Sequence, residues 1–167
     1  GFTFGTGDFT FECWYYPTAI PASGNEYVVT FGQGNVNDYE GFLFGVNANG
    51  KVYAYIGNGS SWTSYTSGTA VLTANRWYHL AISRSGTTLR TFVDGVEDQS
   101  ATNSTNIPNA NNLCLVGGRV DSNGSSHQYV TGYLRDVRIV KGSAVYTSAF
   151  TPPTEPLTAI SGTTLLT

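Results

Sequence analysis

Short runs in which apolar and polar residues alternate with period two recur along the whole chain. Gly, Asn, Asp, Ser and Pro separate them, the punctuation of an all-β domain. The first run, FTFECWYYP, sets Phe9, Phe11, Cys13 and Tyr15 on one face and Thr10, Glu12, Trp14 and Tyr16 on the other. It stops at Pro17, which has no N–H to give to a ladder. YVVTF (27–31), GFLFGV (41–46) and KVYAYI (51–56) follow. Asn49-Gly50 tolerates positive φ at both central positions and predicts a tight hairpin between the last two. Residues 76–100 predict a three-stranded meander, turned first at Ser85-Gly86 and then at Asp94-Gly95. LCLVGG (113–118) and YVTGYLRDVRIV (129–140) read as further strands, with a polar loop over 119–128 between them. In the second of these the alternation slips at Arg135-Asp136, where a bulge restores register. TTLLT (163–167) is expected to close the fold by pairing near the N-terminal strand.

Composition narrows the function. A chain of 167 residues suits one domain with one large core. A net charge of -3, with eight Lys and Arg and no run of them, offers no basic field for phosphates, which makes nucleic acid a poor partner. No stretch approaches the roughly 18–20 apolar residues that cross a bilayer, so no membrane insertion is expected. The chain starts at Gly1 and holds no Met, from which a segment of a longer polypeptide is expected. Cys13 and Cys114 lie in apolar strand-like runs with no second ligand at metal spacing, and read either as two separate thiols or as a disulfide between distant strands.

Three segments in this order, FTFECWYYP at 9–17, RWYHLAISRSGTTLRTFVDGV at 76–96 and GYLRDVRIVKGSAVYTSAFTPPTEPL at 132–157, resemble the laminin G-like branch of the concanavalin A-like superfamily. The last is similar to versions found in virion proteins of marine bacteriophages. The resemblance implies a single domain over 1–167, an all-β, two-sheet antiparallel jelly-roll sandwich. It also implies a non-catalytic module that binds glycan or host-surface polysaccharide, often with calcium, or that acts as a spacer. Other virion or surface protein subunits are then the expected partners, at the virion or an extracellular surface. Such an analogy licenses a site only where residues match.

Sugar binding asks for an aromatic face beside Asn, Asp or Gln. The loop at 32–40 offers Gln33, Asn35, Asn37, Asp38 and Tyr39, and the one at 57–65 offers Asn58, Trp62 and Tyr65. Trp62 and Tyr65 read equally as strand residues filling the sandwich. Calcium needs several hard oxygens, for which Asp121 and Asn123, with Asp38, are the candidates; ordinary turn bonding explains the Asp-x-Asn pair as well. Asp8 and Asp136 stand where the family is often acidic, either to bind or to cap.

Hydrolase chemistry on this sandwich needs two carboxylates at close spacing on one strand, whereas Glu12, Glu26, Glu40, Glu97 and Glu155 are isolated and Glu97-Asp98 point to opposite faces. His79 reads as a structural residue of its strand, and His127 as part of a polar loop. No Gly-x-Ser-x-Gly elbow is present. Asn-x-Ser/Thr occurs at Asn58, Asn103 and Asn123, a coincidence expected of so Asn- and Ser-rich a chain.

Overall fold

The computed structural model describes residues 2–31, 39–66, 69–108, 114–120 and 127–167, with the backbone alone at 40, 64–66, 120 and 127. The strands are β1 (Phe9–Pro17), β2 (Asn25–Phe31), β3 (Glu40–Asn47), β4 (Val52–Asn58), β5 (Trp62–Thr66), β6 (Tyr78–Ser85) and β7 (Thr88–Val93). They continue with β8 (Val96–Thr102), β9 (Cys114–Val116), β10 (Gly118–Val120), β11 (His127–Tyr129), β12 (Gly132–Lys141) and β13 (Thr163–Leu166). Among the described residues no helix is long and apolar enough to cross a membrane.

Two antiparallel sheets stack into the expected jelly-roll sandwich. One is ordered β13-β12-β1-β6-β7-β8 and the other β5-β4-β3-β2-β9. β10 and β11 form a small ribbon of their own, tied to β2 where Thr30 Oγ1 donates to Gly118 O at 3.1 Å. Period-two alternation sends Phe9, Phe11, Cys13 and Tyr15 inward from β1, where they meet Phe42, Phe44 and Val46 of β3. Phe9–Phe42 and Phe11–Phe44 cross the interface edge to face, at 5.7 and 5.3 Å. Each such buried ring contributes about 1.5–3 kcal/mol. Arg84 is buried at one end, where its guanidinium donates to the carbonyls of Gly5, Gly7 and Thr105 and to Asn103 Oδ1.

The turns follow their chemistry. Asp94 and Gly95 both take positive φ, 50° and 77°, and Val93 pairs Val96 directly across a two-residue hairpin. Asp136 has φ 51° and sits where β12 shifts register against β1, the bulge expected from the broken alternation. The Asn49-Gly50 turn differs from expectation, since of the pair only Gly50 is left-handed. Asn47 Oδ1 accepts from Asn49 N and Lys51 N at 2.9 and 3.1 Å, and this side-chain brace holds a wider turn without strain at Asn49. Residues 119–128 are also not all loop: 118–120 pair with 127–129, and the polar composition concealed the ribbon. β13 pairs with β12 and so lies one strand away from β1.

The C-terminal tail covers part of the outer face of the six-stranded sheet. Tyr146 and Phe150 stack at 3.6 Å, and Phe150 packs edge-on against His79 and Phe92. Beneath them lies a buried polar group. Glu12 Oε1 accepts from Arg138 Nε at 2.8 Å, while its Oε2 accepts from Tyr146 OH at 2.6 Å and from His79 Nε2 at 3.2 Å. Burial alone raises the Glu12 pKa, but the donors His79 and Tyr146 and the Arg138 charge outweigh it, and the net direction is down. His79 is therefore a structural residue in this network. Cys13 and Cys114 are separate free thiols.

Candidate functional site

The five-stranded sheet turns its second face to solvent, and this face is aromatic. In β3 and β4, Phe42, Phe44, Val52, Ala54 and Ile56 enter the core, so Leu43, Tyr53 and Tyr55 must lie on the other side. Register then builds a row. Tyr27 and Tyr53 both pair with Gly45, which carries no side chain, and their rings meet across it at 5.7 Å. Tyr53 meets Tyr55 at 5.4 Å, Tyr55 meets Trp62 at 6.5 Å, and Trp62 meets Tyr39 at 6.4 Å, all edge to face.

Trp62 is thus on the outer face and half-buried, which decides against its being a core-filling residue. Tyr39 is 42% exposed at the end of the row. A groove of about 270 Å³ runs over Tyr27, Leu43, Tyr55 and Trp62, with Asn25 and Arg119 as its polar members. The Arg119 guanidinium lies 5.5 Å from the Tyr27 ring centroid and Nη1 donates to Gln128 Oε1 at 3.4 Å. Asn25 also lines a wider groove, of about 460 Å³, with Ile20, Gln128 and Tyr129. Burial, reinforced by the neighbouring Tyr27 and Tyr55, pushes the Tyr53 phenol far up, so it stays protonated. No carboxylate lines the smaller groove among the described residues.

The other residues named from sequence divide as follows. Asn58 ends β4 and is exposed, and its Oδ1 accepts from Ser60 N and Ser61 N at 2.8 Å each, which holds the turn into β5. Tyr65 stands opposite Ala54, and its side chain lies outside the described residues. Gln33, Asn35, Asn37 and Asp38 also lie outside them, as do the calcium candidates Asp121 and Asn123. Among the described residues no three His, Cys, Asp or Glu side chains gather to hold a metal. Asp8 and Asp136 both cap, accepting from Gly86 N and Leu157 N at 2.7 and 3.1 Å. Asn103 is buried and cannot accept a glycan. Asn25, Tyr27, Tyr53, Tyr55 and Arg119 are not among the sequence candidates: alternation shows that Tyr53 and Tyr55 share a face, but not that this face is the outer one.

The family model described as concanavalin A-like lectin/glucanases superfamily matches residues 2–147, and the chain belongs to that family. No curated protein matches the chain. Among solved structures, a candidate carbohydrate-binding protein from Bacteroides ovatus superposes with a TM-score of 0.72 at 15% identity. The match covers 98% of this chain and 45% of that one, so the chain spans less than half of this relative. The CBM40 module of the Ruminococcus gnavus IT-sialidase gives 0.69 at 14% identity, over 85% of this chain and 79% of that one. Domains LG4-5 of the mouse laminin α1 chain give 0.59 at 20%, over 92% and 44%. At these identities the likeness is one of fold.

Proposed function

We propose that this domain is a non-catalytic glycan-binding module whose primary site is the outer face of the five-stranded sheet. The observation that carries the reading is the half-exposed row Tyr55, Trp62 and Tyr39 beside Asn25 and Arg119. Indole and phenol faces desolvate the C–H side of a pyranose, while carboxamide and guanidinium bond its hydroxyls. A groove without a facing pair of carboxylates suits binding and lacks the acid and nucleophile of glycoside cleavage. The likeness to the Ruminococcus gnavus module, which was solved with α2,3 and α2,6 sialyllactose, supports the same reading. In our reading the domain is carried on a larger virion or surface assembly, as the likeness of segment 132–157 suggests, and it meets host-surface polysaccharide there.

A glycan array that includes neutral and acidic glycans, run with calcium and with a chelator, tests this. The expected result is a defined set of bound glycans, lost in Trp62→Ala. Absence of binding in both conditions would overturn the reading in favour of a structural domain, and dependence on calcium would support Asp38, Asp121 and Asn123 as metal candidates.

A further inference from the structure

The opposite sheet carries a second groove, larger than the first. We propose that it is an independent subsite for a neutral pyranose oligosaccharide. Its floor comes from three positions far apart in sequence: Trp14 of β1, Trp77 immediately before β6, and Arg135 of β12. The Arg135 guanidinium lies 4.9 Å from the Trp77 ring centroid and 5.4 Å from that of Trp14, bridging the two indoles. Tyr16 extends the surface, edge-on to Trp77 at 5.4 Å and 6.0 Å from Tyr133, which is 63% exposed.

One wall is Thr151-Pro152-Pro153-Thr154. It is pinned on both sides, by Phe150 N donating to Gly95 O at 2.9 Å and by Leu157 N donating to Asp136 Oδ1 at 3.1 Å. The tail therefore covers Glu12 and His79 but leaves both indoles partly exposed. The groove is open to solvent and spans about 610 Å³, enough to seat sugar units along it.

Charge selects the ligand class. Arg135 supplies donors and Asp94 supplies an acceptor on the same groove. Each has an opposite charge at hand, Asp136 3.8 Å from Arg135 and Arg76 ion-paired with Asp94, so neither sign dominates. An anion in the groove meets the Asp94 carboxylate, and a cation meets the Arg135 guanidinium. A neutral vicinal diol uses the donor and the acceptor together, while indole and proline faces cover its C–H side. The geometry mirrors the front face in kind but shares no residue with it, which makes the module bivalent.

The chain holds three tryptophans, Trp14, Trp62 and Trp77, so three indole N–H signals in a ¹H–¹⁵N spectrum report both faces at once. The probes are cellohexaose, xylohexaose and mannohexaose, each titrated into the wild type and into Trp62→Ala. The expected result is a saturable shift of the Trp14 and Trp77 signals with at least one sugar, persisting in Trp62→Ala and weakened tenfold or more in Trp62→Ala/Trp77→Ala. Shifts confined to Trp62 overturn this subsite and leave the front-face reading intact. No shift of any indole overturns the subsite, while the array with acidic glycans decides the front face separately. Trp14 and Trp77 signals that move with protein concentration alone identify a second copy as the occupant and overturn the proposal.

Discussion

The six-membered ring of Trp62 lies against Gly57, its ladder partner, 3.0 Å from where a Cβ at 57 would stand. That Cβ would also run into the backbone carbonyl of Tyr39. One small residue thus lets two members of the aromatic row close on β4. Gly57→Ala is expected to destabilise the domain by about 1–3 kcal/mol through overpacking. It should also displace Trp62 and Tyr39 together, read as a lower urea midpoint and an altered near-ultraviolet dichroism.

Glu12 gives a pH prediction. Its folded pKa lies below the ordinary 4.5, so its ionised form stabilises the domain above that value, and this stability is lost as pH falls through the lower, folded value. Glu12→Gln leaves the Arg138 guanidinium without its carboxylate and is expected to cost about 3–5 kcal/mol at pH 7. The gap between wild type and variant should narrow as pH drops below 4.5, measured by urea unfolding at several pH values. A gap independent of pH contradicts the network.

Tyr146→Phe removes the 2.6 Å bond to Glu12 and the hydroxyl's contact with Arg138, and leaves the ring stack on Phe150 in place. Loss of a donor to a buried carboxylate costs about 1.5–3 kcal/mol. The Glu12 pKa then rises toward its ordinary value, and the acid unfolding midpoint should move to higher pH than in the wild type. A midpoint that stays in place assigns the lost stability to packing alone.

Burial pushes the Cys114 thiol up to about 11, and Cys13, fully buried beside Glu12, higher still. At pH 8 neither is a nucleophile of consequence. A thiol reagent should label neither in the folded protein and both after unfolding, counted by mass; prompt labelling of Cys13 in the folded state contradicts its burial.

How far the sequence reveals this molecule depends on the range of the interaction involved. The Asp94-Gly95 turn and the Asp136 bulge are local, and each leaves a mark within a few residues: a pair tolerant of positive φ, and a break in alternation. At Asn49-Gly50 the dipeptide suggests a two-residue turn, but the brace from Asn47 is one residue outside the pattern. The ribbon at 118–129 is hidden because Asn, Ser and Gly serve loops and short hairpins alike. For the site, Trp62 and Tyr39 are visible as aromatics in polar loops. Tyr27 and Arg119 join them only because β2 and β10 pack side by side, and Trp14, Trp77 and Arg135 meet only because β12 and β6 both pair with β1 across long stretches of sequence.

The most direct test is the affinity of an array-positive glycan for wild type, Trp62→Ala and Tyr55→Ala by titration calorimetry, with thermal melts alongside. Both aromatics are half-buried on the outer face and outside the main core, so the account predicts unfolding that stays cooperative at a somewhat lower melting temperature and affinity at least tenfold weaker, about 1.4 kcal/mol, in each variant. Affinity equal to wild type in two well-folded variants would contradict it.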